Sequence, residues 1–166
     1  MKVGVLLDTC FLISLVDQQR THHHTAVNYY RYMLEQQISM YFSAIVAAEF
    51  SVKQPVTDLP LKNFRVINFT VPHGVEAGRL LNMLEKDTDT SRIAVRDDYK
   101  LIAQAHHEAI PFLITEDAGT MHKYCQRLEK SGNVKTRALL LTEGFDAALL
   151  RLDGLRSNAL GTLKAS

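Results

Sequence analysis

The apolar residues of this chain fall in short blocks whose period changes from one block to the next, and the alternation predicts a succession of strands and helices. Val3, Val5, Leu6 and Leu7 form a near-continuous apolar run, as expected of a strand covered on both faces. Phe11 to Val16 reads as a buried helix, Asp17 to Arg20 as a polar loop, and Thr21 can open a helix carrying Ala26, Val27, Tyr30, Met33 and Leu34 at spacings of three and four. Ile38 to Phe42 is a second strand, after which the period becomes helical from Ser43 through Ile45, Val46, Ala48 and Phe50. Pro55 and Pro60 close that segment, and Phe64 to Phe69 supplies a third strand. A helix from about His73 to Lys86 follows, with Val75, Leu80, Leu81 and Leu84 as its apolar stripe. Glu85 to Asp98 is charged and loop-like. A helix opens at Asp98 with Leu101, Ile102, Ala103 and Ala105, and ends near Ile110. Phe112 to Ile114 makes a fourth strand, Met121 to Lys130 a helix, Ala138 to Leu141 a fifth strand after the Ser131-Gly132-Asn133 turn, and Phe145 to Leu152 a short last helix.

This order predicts an α/β fold with a mostly parallel central sheet of about five strands, helices on both faces and right-handed crossovers. A length of 166 residues suits one domain, expected over residues 1–155, with 156–166 as a weakly patterned tail. Apolar residues at 46% and charged residues at 22% exclude wholesale disorder. No apolar stretch reaches the roughly 20 residues of a membrane span, and Asp8, Thr9 and Cys10 interrupt the N-terminal run, which therefore reads as core rather than as a signal. Two cysteines, Cys10 and Cys125, make no disulfide framework, so a reducing cytoplasm is the expected compartment.

The chemistry lies in the acids. In open α/β sheets the functional crevice lies beyond the carboxyl ends of the strands. Asp8 directly follows the first strand and Asp117 follows the fourth, while Asp98 opens a helix that can face the same edge. Glu49 stands among Ala47, Ala48 and Phe50, where a charge is costly to bury without a partner or a cation. Each acid alone has an ordinary reading: Asp98 as an N-cap, Asp8 or Asp117 as a turn, Glu49 on the wet face of its helix.

Together the motifs resemble a known family. Leu7-Asp8-Thr9 followed by Phe11-Leu12-Ile13, the Ser43 to Phe50 segment ending Ala47-Ala48-Glu49-Phe50, the helix start from Asp98 to Ala105, and Leu113-Ile114-Thr115-Glu116-Asp117 are similar, in order and spacing, to the four acidic motifs of PIN-domain nucleases. His23-His24-Thr25-Ala26 resembles the start of the second helix in the VapC-type toxins. The resemblance implies a three-layer α/β/α fold, divalent-metal-dependent hydrolysis of RNA phosphodiesters, and the toxin of a toxin–antitoxin pair, held in check by a small antitoxin. Carried over residue by residue, Asp8, Glu49, Asp98 and Asp117 become the catalytic and metal-holding quartet for Mg²⁺ or Mn²⁺, with Thr115, Thr9 and Asp97 in support. Two departures stand out. Cys10 replaces a small polar residue, and the segment beyond Asp117 is longer than in the shortest toxins, which offers it for dimerisation or another partner. The alternatives are a non-catalytic PIN-like binding or scaffolding module, or a PIN nuclease of RNA maturation.

The net charge of +1 neither supports nor excludes nucleic acid, because a carboxylate centre cancels basic surface. Eight basic residues between Arg92 and Arg137, among them Arg96, Lys100 and Lys123, could contact phosphate if they share a face. His22-His23-His24 is expected to be a solvated helix start, since consecutive helical residues point apart. His106, His107 and His122 lack the spacing of a zinc motif. Cys10 reads as a small buried residue rather than a nucleophile, and Tyr29, Tyr30 and Tyr32 suit helix packing, including a homodimer, better than base stacking. No glycine-rich phosphate loop is present.

Overall fold

A computed structural model describes residues 3–85 and 97–152. Its sheet is five-stranded and wholly parallel, with the order β3-β2-β1-β4-β5. The strands are β1 (Gly4–Leu7), β2 (Ser39–Ser43), β3 (Phe64–Ile67), β4 (Phe112–Thr115) and β5 (Arg137–Leu140); the helices are α1 (Thr9–Val16), α2 (His23–Glu35), α3 (Ala44–Ser51), α4 (Val71–Glu85), α5 (Asp98–His107) and α6 (Met121–Lys130). The fold is therefore α/β with helices flanking a parallel sheet.

The burial of each strand follows from its place in the sheet. β1 and β4, in the middle, are buried at every position, whereas the edge strand β3 leaves Arg65 and Val66 exposed. Continuous apolar runs are what strands covered on both faces require. At Gly4, where β1 meets β2, a β-carbon would lie 2.9 Å from Cε2 of Tyr41, so a larger residue would require that ring to shift.

The chain moves outward from β1 to β2 and β3, then returns across to β4 and β5 on the other side. With right-handed crossovers, the outward and return connections lie on opposite faces. Accordingly α1 packs against α2 and α3, and α5 against α4 and α6. The reversal of direction falls between β1 and β4, which are direct neighbours with Leu7 opposite Ile114. A crevice at the carboxyl ends of these two strands is the expected ligand position in such a sheet.

Beyond β5 comes a 3₁₀ turn, Leu141–Glu143, and the predicted helix over Phe145 to Leu152 is instead a second one, Ala147–Leu150. Gly144 at φ +90° turns the chain between them in a conformation that L side chains avoid. The segment folds back onto α2. The Tyr29 hydroxyl donates to the Gly144 carbonyl and accepts from the Asp146 N–H, each at 3.3 Å, and the Phe145 ring stands edge-on to Tyr29 at 4.9 Å. Tyr29 is fully buried, and these contacts pack the Gly144 to Asp146 stretch against α2.

Candidate active site

Asp8 caps α1: its Oδ1 accepts the Phe11 N–H at 2.8 Å, and its backbone stays extended as it leaves β1. This is the usual work of an N-cap aspartate, but the second oxygen has a different partner. The buried Thr115 hydroxyl, at the end of β4, donates to Oδ2 and accepts the Asp117 N–H at 3.0 Å. One hydroxyl thus fixes the first acid directly and the last acid through its backbone. Burial dominates the electrostatics of Asp8. Desolvation raises its carboxyl to about 7, against the lowering effect of the bonds from Thr115 and Phe11, and the charges of Glu116 and Asp98 push it the same way.

Asp117 folds its own loop. Its Oδ1 accepts the N–H groups of Gly119 (2.8 Å) and Thr120 (2.9 Å), which turns the chain into α6. The Thr120 hydroxyl then lies against Oδ2 of Asp117 and Oδ2 of Asp98 together. A hydroxyl has one proton to donate, so the two carboxylates cannot both bond to it unless one of them carries a proton. Asp98 is shifted upward, first by desolvation and then by the charges of Asp117, Glu49 and Asp97, with the Thr120 bond opposing.

Glu49 reaches the same region from α3, where its carboxylate accepts from the Thr9 hydroxyl at the start of α1. The helix exposes it, so the expectation of a costly buried charge is corrected: α3 turns its apolar face inward through Val46 and Phe50 and leaves Glu49 on its wet face. Asp8 feels Asp98, and Asp98 feels Asp117 and Glu49; the four acids share one electrostatic field. Their described hydrogen-bond partners are hydroxyls and backbone N–H groups. The described basic neighbours are engaged elsewhere, Arg20 with Glu116 at 2.7 Å and Lys100 with Asp97 at 2.9 Å. A set of oxygen-only donors, two of them raised in pKa first by burial and then by their acidic neighbours, fits a hard divalent cation such as Mg²⁺ or Mn²⁺.

Asp97 sits at the N-cap of α5 without a side-chain capping bond, its carboxylate turned to Lys100, while Asp98 faces Thr120. Of the basic residues considered for phosphate, Lys100 is thus paired, Lys123 is exposed on α6, and Arg92 and Arg96 lie outside the described residues. Cys10 lies beside the acids on α1. Desolvation, followed by the charge of Asp8, drives its thiol up to about 12, which keeps it protonated.

Sequence reasoning missed Thr120, which is the contact between Asp98 and Asp117, and it missed the support behind the centre. There Glu116 accepts from the Ser14 hydroxyl and pairs with Arg20, whose Nε lies 3.4 Å from Ser14 Oγ. The signal available for Thr120 was its place three residues after Asp117, within reach of an Asx turn. It also missed that the packing of α4 on α5 brings His107, read as isolated, against His73.

No family model matches the sequence, and no curated protein matches it. Solved structures do match the fold. VapBC2 from Rickettsia felis, bound to a DNA fragment from its promoter, superposes with a TM-score of 0.58 at 16% identity over 82% of this chain and 98% of that one. VapBC-1 from nontypeable Haemophilus influenzae gives 0.54 at 16% identity over 84% and 99%. VapC20 from Mycobacterium tuberculosis, a toxin that cleaves the sarcin-ricin loop, gives 0.52 at 15% identity over 80% and 98%. At these identities the likeness is one of fold, and it is the fold of the PIN-domain VapC proteins.

Proposed function

We propose that the chain is a divalent-metal-dependent endoribonuclease that hydrolyses RNA phosphodiester bonds, and that it acts as the toxin of a toxin–antitoxin pair in the cytoplasm. The observation that carries this reading is the Thr120 hydroxyl in contact with Asp98 and Asp117 together, with Asp8 and Glu49 within electrostatic reach of Asp98. Acids set this close repel one another, and a cation relieves what a shared proton relieves only in part.

In this reading Asp8, Glu49, Asp98 and Asp117 hold Mg²⁺ or Mn²⁺. Bound there, the metal supplies Lewis-acid neutralisation of the phosphoryl charge and an attacking water of lowered pKa. The chain's own residues supply position. Thr115 aims Asp8 across from β4, Thr9 steadies Glu49, and Thr120 spaces Asp98 from Asp117. The Arg20–Glu116–Ser14 contacts brace the end of β4 behind them. Asp97 keeps Lys100 at the rim, where with Lys123 it meets the RNA backbone; Arg92 and Arg96 are proposed for the same strand of phosphates. The antitoxin is expected to close the crevice from outside, where Glu49 is exposed.

The test is direct. Purified protein incubated with end-labelled mixed RNA should cut it with Mn²⁺ or Mg²⁺ and not with EDTA, and Asp98→Asn or Asp117→Asn should slow cleavage by roughly a hundredfold or more with an unchanged circular dichroism spectrum. Cleavage at the wild-type rate by either variant would sink the assignment. Co-purification with the product of an adjacent short reading frame tests the toxin half separately.

A further inference from the structure

The N-terminus of α4 and the end of α5 meet at a group of side chains that the acidic centre does not use. Thr70 precedes α4 and His73 is its third residue. The Thr70 N–H donates to His73 Nδ1 at 3.0 Å, and the Thr70 hydroxyl lies 3.0 Å from the same nitrogen. Histidine here fills the position that Glu or Gln holds in a capping box. The cap fixes the ring, which is 2% exposed, and directs the other nitrogen at the end of α5. There Nε2 lies 2.7 Å from Oε1 of Glu108, and the exposed His107 ring stands perpendicular to that of His73 at 4.9 Å. One ligand atom from each of His73, His107 and Glu108 falls within 4.8 Å of the others.

We propose that His73, His107 and Glu108 form a zinc site, separate from the acidic centre, that ties α4 to α5. Two imidazoles and one carboxylate are a donor set for zinc rather than for magnesium, with water in the fourth position. Ligands of a tetrahedral zinc stand about 3.3 Å apart at the usual bond lengths, and the exposed side chains of His107 and Glu108 can close to that spacing around a fixed His73. The proton balance closes within the ring. Zinc takes the Nε2 lone pair, the proton that Nε2 gave to Glu108 moves to Nδ1, and the Thr70 hydroxyl becomes its acceptor. That last bond is the outer contact that orients a metal-bound histidine; the Thr70 N–H gives up its bond to the ring, so zinc uptake costs α4 this part of its cap. The site would hold the far end of the helix whose first residue is Asp98, across the connection between α4 and α5.

Titration of untagged protein with zinc chloride, by calorimetry and by thermal melting, tests this. One zinc per chain is expected, with the melting temperature rising by roughly 5–10 °C at a hundredfold excess over Kd, and the same uptake in the Asp98→Asn/Asp117→Asn variant. His107→Ala and Glu108→Gln, both at the surface, should each weaken binding about tenfold to a hundredfold and remove the thermal shift. His73→Gln keeps a side chain able to cap α4 and should lose zinc while the metal-free protein melts as before. No uptake, uptake that survives His107→Ala, or uptake lost in His24→Ala or in the acidic-centre variant would overturn the proposal. Because the acidic-centre variant is one arm, failure here is separable from failure of the nuclease reading.

Discussion

Burial lifts the Asp8 carboxyl from an ordinary 3.8 to about 7, so across that interval the folded chain holds a proton that the unfolded chain has lost. Where the folded state binds more protons, stability falls as pH rises. Asp8 should therefore cost the metal-free protein on the order of 4 kcal/mol between about pH 4 and about pH 7, with the favourable side at low pH. Urea unfolding in EDTA at about pH 5 and about pH 8 measures it. The wild type should lose stability between the two, Asp8→Asn should lose much less, and equal losses would mean that the cost lies elsewhere. Thr115→Val removes a hydroxyl that the buried carboxylate accepts from. It should destabilise the protein by about 1–3 kcal/mol above pH 7 and weaken Mn²⁺ binding about tenfold, read by the same melts and by metal titration. Cys10 makes a contrary case. A thiol pushed up to about 12 reacts slowly with iodoacetamide at neutral pH, because the thiolate is the nucleophile; Cys10→Ser should leave cleavage intact, and a collapse of activity would give the thiol a part that its electrostatics deny. At this scale the sequence made the placement of Asp8, Asp98 and Asp117 readable, since each sits just after a strand or at the start of a helix. Thr120 was not readable, because its importance depends on how the loop after Asp117 turns back toward Asp98.

Among the elements, the strands were legible from their unbroken apolar runs and the helices from their three-and-four spacing, with boundaries within a few residues. Two readings failed for physical reasons. Phe145 to Leu152 carries helical spacing, yet Gly144 in the left-handed region and the Asp146 carboxylate capping Ala148 at 2.8 Å restart the chain in a tighter turn. Packing on α2 then overrides propensity. His107 was read as isolated because nothing in a sequence reports the register of one helix against another, and it is the α4–α5 contact that sets it beside His73. The closing contact of the C-terminal segment is open to test. Tyr29→Phe removes a hydroxyl with two backbone partners and should cost about 1 kcal/mol, with more if the Gly144 carbonyl and Asp146 N–H are left dry. Phe145→Ala, at a site 39% exposed, should cost roughly 1–3 kcal/mol. Both are measured by chemical denaturation, and a neutral Phe145→Ala would mean that the segment is not held by Tyr29.

For the whole molecule, the sheet order decides whether acids distant in the chain can act together. The sequence predicted a parallel sheet but not which strands would be neighbours, and the pairing of β1 with β4 is what puts Asp8 beside Thr115. The shared field of the acids predicts that a divalent cation stabilises the fold. Millimolar Mg²⁺ or Mn²⁺ should raise the melting temperature of the wild type and shift Asp98→Asn/Asp117→Asn far less, a comparison made by differential scanning fluorimetry at about pH 7.5. Asp8 and the threonine that aims it are 107 positions apart, and this distance also orders events in time. A ribosome makes the N-terminal half first, and until the stretch ending at Asp117 has emerged, β1 lacks the neighbour that completes the crevice. On the proposed nuclease reading, unfinished or truncated products would then be harmless to the RNA around them, including the message from which they are being read.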